Sequence, residues 1–360
     1  MNYDADAGVG FGAIGTLTRH RPGWSPYRGT LVAQLFFSSE GVQAHELRWD
    51  LIGVGTRRLR VFGRLTYFST VNRNYCGLGN TVTCDPKLAE AAAEAAGLLP
   101  DSSVHDDFVR RYYRVRFVAP GVAVGVRWML DSRWSAFGQG RLSYSRSGTF
   151  FERGPYPGSL FAEHHPDGES GIIGVPQVGV MFDTRDSETT PSSGVWIEAS
   201  TRAGLGTWSF AGGNLSARVY RRLGTRVVSA TRVVADGLIG SPPVAELGLV
   251  NGAESYVAFG GQTAGRGIRE HRYIGRIKAI AQQELRVRVS RRWVGVGFID
   301  AGWVAVDWDE IGGDPWRILW GAGLGARFVV NPTFILRADV GFSGVEGWSP
   351  QVYLYIGHLY

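Results

Sequence analysis

GRIKAIAQQELRVRVS, the segment from Gly275 to Ser290, alternates between two kinds of residue. Its odd positions are mostly apolar: Ile277, Ala279, Ala281, Gln283, Leu285, Val287 and Val289. Its even positions are mostly polar or charged: Lys278, Ile280, Gln282, Glu284, Arg286 and Arg288. A period of two is typical of a β-strand, because successive side chains point to opposite faces. The segment therefore predicts a strand with one apolar face and one charged face.

The same alternation recurs along the chain and predicts an all-β fold. It is clearest in Leu59–Tyr67, Arg110–Phe117, Leu215–Arg222, Trp320–Val330 and Phe334–Phe342. Segments of about 9 to 14 residues are longer than the usual strand of about 5 to 6, and they can cross a bilayer when tilted. At roughly 22 residues for each strand with its connection, the 360 residues hold about sixteen strands.

The charged face of these strands is rich in arginine rather than lysine, which favours a membrane barrel over a soluble two-sheet protein. The interior of such a barrel is polar, and an arginine facing lipid would cost about 2 to 4 kcal/mol at the midplane. The arginines expected to face the lumen are Arg60, Arg114, Arg286, Arg327 and Arg337. The residues expected to face lipid are Leu59, Val115, Leu285, Leu324 and Leu336. Because a sheet edge cannot stay open in hydrocarbon, the strands are expected to close into a transmembrane antiparallel β-barrel.

The composition agrees with a single barrel domain over residues 1–360. The chain has 38 Lys+Arg against 32 Asp+Glu, and no apolar run of about 18 residues predicts a transmembrane helix. The positive charge comes from strand arginines rather than from a basic tail, which argues against a nucleic-acid partner. One short polar helix is predicted, from Pro86 to Leu99.

Short turns are predicted to alternate with long loops. The tight turns are Ser38–Gly41, Leu130–Trp134, Leu223–Arg226, Ser290–Trp293 and Val330–Thr333. The long loops, at the opposite end, are Arg19–Tyr27, Phe151–Gly171, Leu238–Ile274 and Val306–Arg317. Short turns of bacterial barrels are periplasmic. Because successive connections alternate between the two ends, the insert of residues 72–107 is expected on the periplasmic side.

Cys76 and Cys84 lie eight residues apart within that insert. The spacing suits one local disulfide in an oxidising compartment, and two free thiols are the alternative. A zinc site is disfavoured because the paired short spacings of structural zinc are missing. The sequence therefore assigns no metal to the chain.

Four motifs resemble the outer-membrane assembly-factor superfamily, the barrels of the BamA, TamA and two-partner-secretion type, also called bacterial surface antigens. They are Gly265-Arg266-Gly267-Ile268 after Phe259-Gly260-Gly261, Gln283-Glu284-Leu285-Arg286, Phe298-Ile299-Asp300-Ala301-Gly302, and Asp183-Thr184-Arg185-Asp186 with Pro191 and Gly194. The first departs from the family pattern (Val/Leu)-Arg-Gly-(Phe/Tyr), because Ile268 replaces the aromatic residue. The resemblance implies a loop between strands eleven and twelve, here residues 238–274, that folds back into the lumen.

The resemblance also supplies a pairing inside the lumen. Arg266 is expected to meet Asp300 and Glu284, and Gly267 to allow the tight turn beside it. A guanidinium is a planar fork that suits carboxylates bidentately, so the pairing would lock the loop inside. The alternative is a loop lying outside the barrel with Arg266 in solvent.

The C-terminus resembles the signal by which outer-membrane barrels are recognised for insertion. Val352, Leu354 and Ile356 alternate up to Gly357, and the sequence ends at Tyr360. An aromatic final residue alone would be weak evidence for this signal, and any barrel has a last strand. The whole pattern, including Ile356, Gly357 and Tyr360, is more specific.

The beginning of the sequence bears on which branch of the superfamily it resembles. MNYDADAGVG has no basic and apolar leader, so either no secretion signal was present or the chain is a mature form with an added Met1. A first strand is predicted at Gly8–Thr18, without a preceding periplasmic docking domain of the POTRA kind. Either such domains were removed or this is a barrel-only form.

The resemblance implies an outer-membrane barrel that acts in protein or lipid insertion or translocation, without a cofactor. Its partners would be outer-membrane lipid, an unfolded-protein or lipid substrate, and a separate periplasmic protein. The alternatives are a passive pore or structural barrel and, less favoured, an outer-membrane hydrolase. No enzyme is expected.

Two further kinds of sequence motif could suggest cofactor binding or catalysis, but both have structural explanations. Gly10-x-Gly12-x-x-Gly15 and Gly321-x-Gly323-x-x-Ala326 match the dinucleotide fingerprint, but both lie inside alternating strands rather than between a strand and a helix. His164-His165-x-Asp167 with Ser170 could suggest a hydrolase, yet no Gly-x-Ser-x-Gly occurs, and a solvated loop is expected.

Overall fold

The computed structural model describes residues 2–4, 8–24, 26–39, 41–100, 102–148, 158–257, 259–311, 317–331 and 334–356. Within these residues, sixteen strands form one antiparallel sheet in chain order. They are β1 (Asn2–Asp4), β2 (Gly8–Arg19), β3 (Gly29–Ser38), β4 (Gln43–Ile52), β5 (Leu59–Asn74), β6 (Arg114–Met129), β7 (Trp134–Gly148), β8 (Glu169–Asp183), β9 (Gly194–Gly206), β10 (Phe210–Arg222), β11 (Val227–Gly240), β14 (Ile277–Arg288), β15 (Trp293–Ala305), β16 (Leu319–Asn331), β17 (Phe334–Phe342) and β18 (Gln351–Ile356). A separate hairpin pairs β12 (Leu249–Asn251) with β13 (Ser255–Val257). The prediction of an all-β fold with about sixteen antiparallel strands is confirmed.

The alternation read from the sequence separates the two faces of the sheet. Leu324 on the outward face is 73% exposed, whereas Arg327 on the inward face is fully buried. Four of the arginines predicted to face the lumen lie on the inward face: Arg60, Arg286, Arg327 and Arg337. The outward face is apolar and the inward face carries the charge, as the strand pattern predicted.

The prediction was wrong for the pair Arg114 and Val115. Val115 is 3% exposed and packs inward in a cluster with Phe161 and Ile274, which places Arg114 on the opposite face. Arg114 begins β6 at the end of the sheet, where its guanidinium donates to the carbonyl of Asn72 at 3.3 Å. An outward arginine is tolerated here because a neighbouring polar group satisfies it.

The sheet curls around the segment that joins β11 to β14, residues 241–276. Strands as distant as β7 and β18 reach this one segment: Gln139 donates to the carbonyl of Gly252 at 3.1 Å, and the amide of Gly267 donates to Tyr353 at 3.0 Å. In a flat sheet with strands about 4.8 Å apart, β7 and β18 would lie more than about 40 Å from each other. The sheet therefore has the curvature of a barrel with a filled interior.

The two ends of the sheet do not pair with each other within the described residues. β1 has three residues and pairs with β2, and β18 has six residues and pairs with β17. The strand order is accordingly linear rather than circular over the part of the chain that the structure describes. The full closure expected from the cost of an open edge is not present in these residues.

Short helices occupy the connections. They are α1 (Pro86–Ala95), α2 (Ser103–Arg111), α3 (Leu160–His164) and α4 (Val244–Leu247). Asp85 caps α1 by accepting a hydrogen bond from the amide of Lys87 at 3.0 Å. The predicted helix ends at Ala95 rather than at Leu99, because Gly97 adopts φ +75° just beyond it.

None of the helices in the described part of the chain is long and apolar enough to span a membrane.

The antiparallel order assigns every connection to one of two ends. The longest connections lie at the long-loop end, and their described residues are 75–100, 102–113, 158–168, 241–257, 259–276, 306–311 and 317–318. The described residues of the short-turn end are 20–24, 26–28, 53–58, 130–133, 184–193, 223–226 and 289–292.

This assignment corrects three sequence predictions. The insert of residues 72–107 was placed at the wrong end: it lies with the long loops, where the amide of Gly79 donates to the carbonyl of Ile274 at 2.8 Å. Ser38–Gly41 belongs to the long-loop end and Arg19–Tyr27 to the short-turn end. Each chain reversal switches ends, so the wrong end given to Ser38–Gly41 from its short length carried over to the insert.

Candidate functional site

The segment of residues 241–276, called here the inserted segment, enters the barrel from the long-loop end. It contains α4, the hairpin of β12 and β13, and a glycine-rich tip in which Gly265 and Gly267 have φ of +71° and +98°. It connects the eleventh and twelfth strands of the sheet, as the resemblance implied. Positive φ favours glycine, so the tip can turn sharply at these two positions.

Arg266 at the tip is fully buried and bonded to three carboxylates. Its backbone amide, Nε and Nη2 donate to Asp300 at 3.0, 2.8 and 2.9 Å. Its Nη1 donates to Glu284 at 2.8 Å and to Asp339 at 3.2 Å. The guanidinium also lies 3.5 Å from the ring centre of Phe298. The side chain thus fixes the tip to β14, β15 and β17 at once.

Three further arginines surround the same carboxylates. Arg327 donates to Asp339 at 2.5 Å and to Glu284 at 3.2 Å. Arg286 donates to Glu284 at 2.8 Å, and Arg337 lies 3.3 Å from Asp339. These seven side chains form the lumen cluster: Arg266, Glu284, Arg286, Asp300, Arg327, Arg337 and Asp339. Removing one partner from such a buried network leaves uncompensated charge and costs about 3 to 5 kcal/mol.

Glycines on the barrel wall make room for the tip. A Cβ on Gly321 would lie 2.1 Å from the carbonyl oxygen of Arg266, and one on Gly341 would lie 2.6 Å from the amide nitrogen of Gly267. A Cβ on Gly302 would lie 2.3 Å from the ring of Phe259. The glycines of the fingerprint-like string in β16 therefore serve close packing of backbone against backbone.

The structure brings together the four residues that the sequence named for the lumen. Arg266 contacts Asp300 and Glu284, and Gly267 follows it with positive φ. The alternative of a loop outside the barrel with Arg266 in solvent does not hold. Asp339 was not predicted as a partner of Arg266. Its signal was present, since Asp339 shares the inward parity of β17 with Arg337.

A second cluster, also missed from the sequence, holds the base of the inserted segment. Arg202 forms a bidentate pair with Asp236, with both distances 2.9 Å. Arg202 also donates to the carbonyl of Asn251 at 3.0 Å, and Lys278 donates to the carbonyl of Leu249 at 2.7 Å. Lys278 and Asp236 lie 3.3 Å apart. We call Arg202, Asp236 and Lys278 the base cluster.

The hairpin of the inserted segment contacts the wall on the other side. Glu198 on β9 accepts a hydrogen bond from the amide of Ala253 at 2.7 Å. Gln177 on β8 donates to the carbonyl of Asn251 at 3.0 Å. Arg141 on β7 pairs with Glu246 of α4 at 2.5 Å. The inserted segment is therefore held along its length and not only at its tip.

The insert carrying the cysteines covers the long-loop end. Cys76 and Cys84 form a disulfide with a Cα–Cα distance of 5.2 Å. The adjacent Tyr75 hydroxyl lies 3.0 Å from Nδ1 of His164. Burial, followed by the negative charge of Glu169, raises the pKa of the Tyr75 hydroxyl to about 12. The tyrosine is thus a neutral hydrogen-bonding group that ties the insert to α3.

The residues considered for a hydrolase do not assemble. His164 and His165 contact Tyr75, whereas Ser170 lies exposed on β8. Among the described residues, no three His, Cys, Asp or Glu side chains are grouped so that they could hold a metal ion. Of the predicted insertion signal, Ile356 ends β18, and Gly357 and Tyr360 lie outside the described residues.

Comparisons with known proteins identify the fold. No family model and no curated protein matches the sequence. Among solved structures, BamA from Haemophilus ducreyi lacking POTRA domains 1–3 aligns over 99% of this chain and 68% of its own, with 12% identity and a TM-score of 0.60. CdiB from Escherichia coli aligns over 99% and 60%, with 13% identity and a TM-score of 0.60. CdiB from Acinetobacter baumannii aligns over 94% and 54%, with 14% identity and a TM-score of 0.53. The chain therefore has the fold of the BamA and CdiB barrels.

Proposed function

We propose that this chain is an integral barrel of the bacterial outer membrane that acts in the insertion or translocation of proteins or lipids. The fold shared with BamA and CdiB supports this assignment. So does the outward face, which exposes large apolar side chains such as Leu17 at 72% and Leu324 at 73%. In this proposal an unfolded protein or a lipid is the substrate, a separate periplasmic protein is a partner, and no catalytic step is involved.

The observation that carries the proposal is the inserted segment, fixed by the lumen cluster to the last strands of the sheet. Arg266 bonds to β14, β15 and β17, and the amide of Gly267 bonds to Tyr353 on β18. The segment fixed by Arg266 occupies the lumen, which supports a barrel that is sealed at rest over an open passive pore. A barrel that inserts or translocates a substrate has to stay sealed until the substrate arrives, and a segment fixed across the lumen provides that seal.

A reconstitution experiment tests the function. Vesicles containing the folded chain should speed the insertion of an unfolded outer-membrane barrel substrate, measured as its gain of protease resistance and heat-modifiable gel mobility. Vesicles containing a pore-forming barrel of similar size serve as the control. No acceleration over that control, with or without periplasmic extract, would refute the proposal.

Single-channel recording separates the proposal from its main alternative. The wild-type chain in a planar bilayer should show low and intermittent conductance, because the inserted segment fills the lumen. A large steady conductance of the wild-type chain would favour a passive pore.

A further inference from the structure

The short-turn end is strongly basic, whereas the rest of the molecule is acidic. Residues 18–29, 50–60, 127–134, 183–195, 220–228, 287–293 and 328–335 contain fifteen arginines and five acidic residues, a formal charge of +10. Because the whole chain carries +6, the remainder carries −4. A charge excess confined to one end of a molecule points to an anionic partner at that end.

Three of these arginines converge on one groove. The groove has a volume of about 490 Å³ and lies between the turns 223–226 and 289–292, where it is lined by Arg226, Arg288, Arg291 and Ser290. The amide of Arg288 donates to the carbonyl of Arg226 at 2.8 Å, which holds these two residues side by side. No carboxylate among the described residues pairs with any of the three guanidinium groups. Three uncompensated like charges around one groove fit a phosphate, which accepts several N–H bonds.

Two turns at the same end place an arginine beside an outward aromatic pair. Trp134 contacts Phe182, and Trp293 contacts Phe328, each with ring centres 5.0 Å apart. The arginine before each tryptophan is bonded to the same neighbouring strand through its backbone. The carbonyl of Arg133 accepts from the amide of Asp183 at 2.9 Å, and the carbonyl of Arg292 accepts from the amide of Val329 at 2.8 Å. Outward tryptophans mark the membrane–water interface of membrane proteins. Each arginine then lies one residue beyond the interface, at the depth of lipid headgroups.

From these observations we infer that the short-turn end binds anionic phospholipids of the adjacent leaflet, with their phosphates seated by Arg226, Arg288 and Arg291. The inference rests on the membrane location in the proposed function and adds a ligand class to it. Beyond the groove, exposed arginines follow the perimeter on five separate turns, 20–28, 53–58, 130–133, 223–226 and 289–292, which favours a surrounding leaflet over one acidic protein. A leaflet that surrounds the barrel matches that distribution.

Native mass spectrometry of the purified barrel tests the inference. Detergent micelles are doped with equal amounts of dioleoyl phosphatidylglycerol and dioleoyl phosphatidylcholine, and retained lipids are counted. The test variant is Arg226→Gln/Arg288→Gln/Arg291→Gln. The matched control removes the same charge at the long-loop end, as Arg110→Gln/Arg111→Gln/Arg116→Gln. Heat-modifiable gel mobility verifies that each variant is folded.

We expect the wild-type barrel to retain phosphatidylglycerol in preference to phosphatidylcholine. The groove variant should lower this preference at least about ten-fold, and the control should keep it. Excess inorganic phosphate should leave the lipid bound. Equal retention of both lipids, an unchanged preference in the folded groove variant, or displacement by inorganic phosphate or polyglutamate would overturn the inference. A barrel that keeps its preference for phosphatidylglycerol but fails the insertion assay would refute the proposed function and leave the lipid inference standing.

Discussion

Arg266 is the residue on which the candidate site depends. Its five hydrogen bonds to carboxylates use every nitrogen of the guanidinium and the backbone amide as well. Arginine suits this role better than lysine, because its planar fork engages two carboxylates in fixed directions. The lumen cluster sets four arginines against three carboxylates, and Arg266 shares Glu284 and Asp339 with its neighbours.

Replacing Arg266 should release the tip of the inserted segment. Arg266→Ala leaves Asp300 buried without its bidentate partner, and we expect a loss of about 3 to 5 kcal/mol in the free energy that holds the tip in place. Arg266→Lys keeps the charge but loses the fork, so an intermediate effect is expected. Single-channel recording should show larger and more frequent openings in the alanine variant.

The matched control for this substitution is Arg269→Ala. Arg269 is 52% exposed and lies 3.5 Å from Glu346, which keeps its closer ion pair with Arg272 at 2.7 Å when Arg269 is replaced. The single-channel conductance of the Arg269→Ala variant should match that of the wild type. An Arg266→Ala channel that matches both would contradict the role assigned to Arg266.

Gly321 tests the close approach of the tip to the barrel wall. A methyl group on Gly321 would meet the carbonyl of Arg266, so Gly321→Ala should displace the tip and cost about 1 to 3 kcal/mol. Gly15→Ala on β2 is the control, because nothing lies within 4 Å of its added Cβ. Denaturant unfolding and channel recording of both variants measure the difference. Equal behaviour of the two alanine variants would mean that the tip is not packed against Gly321.

At the scale of elements, long inserts are fastened at their ends by covalent or charged groups. The base cluster and the lumen cluster hold the inserted segment at two points along the barrel. In the insert that follows β5, the disulfide closes the loop between Cys76 and Cys84, and a hydrogen bond between Tyr75 and His164 ties the insert to α3. Without these contacts, ordering segments of this length would cost a large conformational entropy.

The disulfide should stabilise this insert locally rather than the whole barrel. Closing the loop between Cys76 and Cys84 is expected to contribute up to about 3 kcal/mol in the chain-entropy model. Reduction should therefore speed hydrogen exchange in α1 while leaving the strand amides of β14 and β15 protected. Two alkylatable thiols in the folded, unreduced protein would contradict the bond.

At the scale of the whole molecule, the two ends differ in both length and charge. The long-loop end carries the insert, the entrance of the inserted segment and the exposed Leu99, whereas the short-turn end carries the arginine groove. In bacterial barrels the long loops are extracellular. The insert with both cysteines is therefore expected outside the cell.

Cysteine labelling of intact cells tests this orientation. Leu99→Cys, at a position 75% exposed, should react with a membrane-impermeant maleimide on intact cells. Leu223→Cys, at a short turn and 57% exposed, should react only after the outer membrane is permeabilised. The opposite pattern of labelling would reverse the orientation.

The sequence by itself determined the strand pattern and the parity of most strands, because side-chain alternation is a local property of the chain. It placed Arg286, Arg327 and Arg337 on the inward face, and it named Arg266, Asp300 and Glu284 through motif resemblance. These are features that a few consecutive residues carry.

Only the tertiary structure decided what depends on counting reversals and on contacts between distant strands. The short connection Ser38–Gly41 lies at the long-loop end, so counting reversals from it as a short turn assigned the insert to the wrong end. The partners Asp339 and Asp236 could not be assigned from spacing, since Asp339 meets Arg266 only when the inserted segment enters the curled sheet, and Asp236 meets Arg202 across the intervening strand β10. The charge of the short-turn end likewise becomes a surface only when separate turns are gathered at one rim.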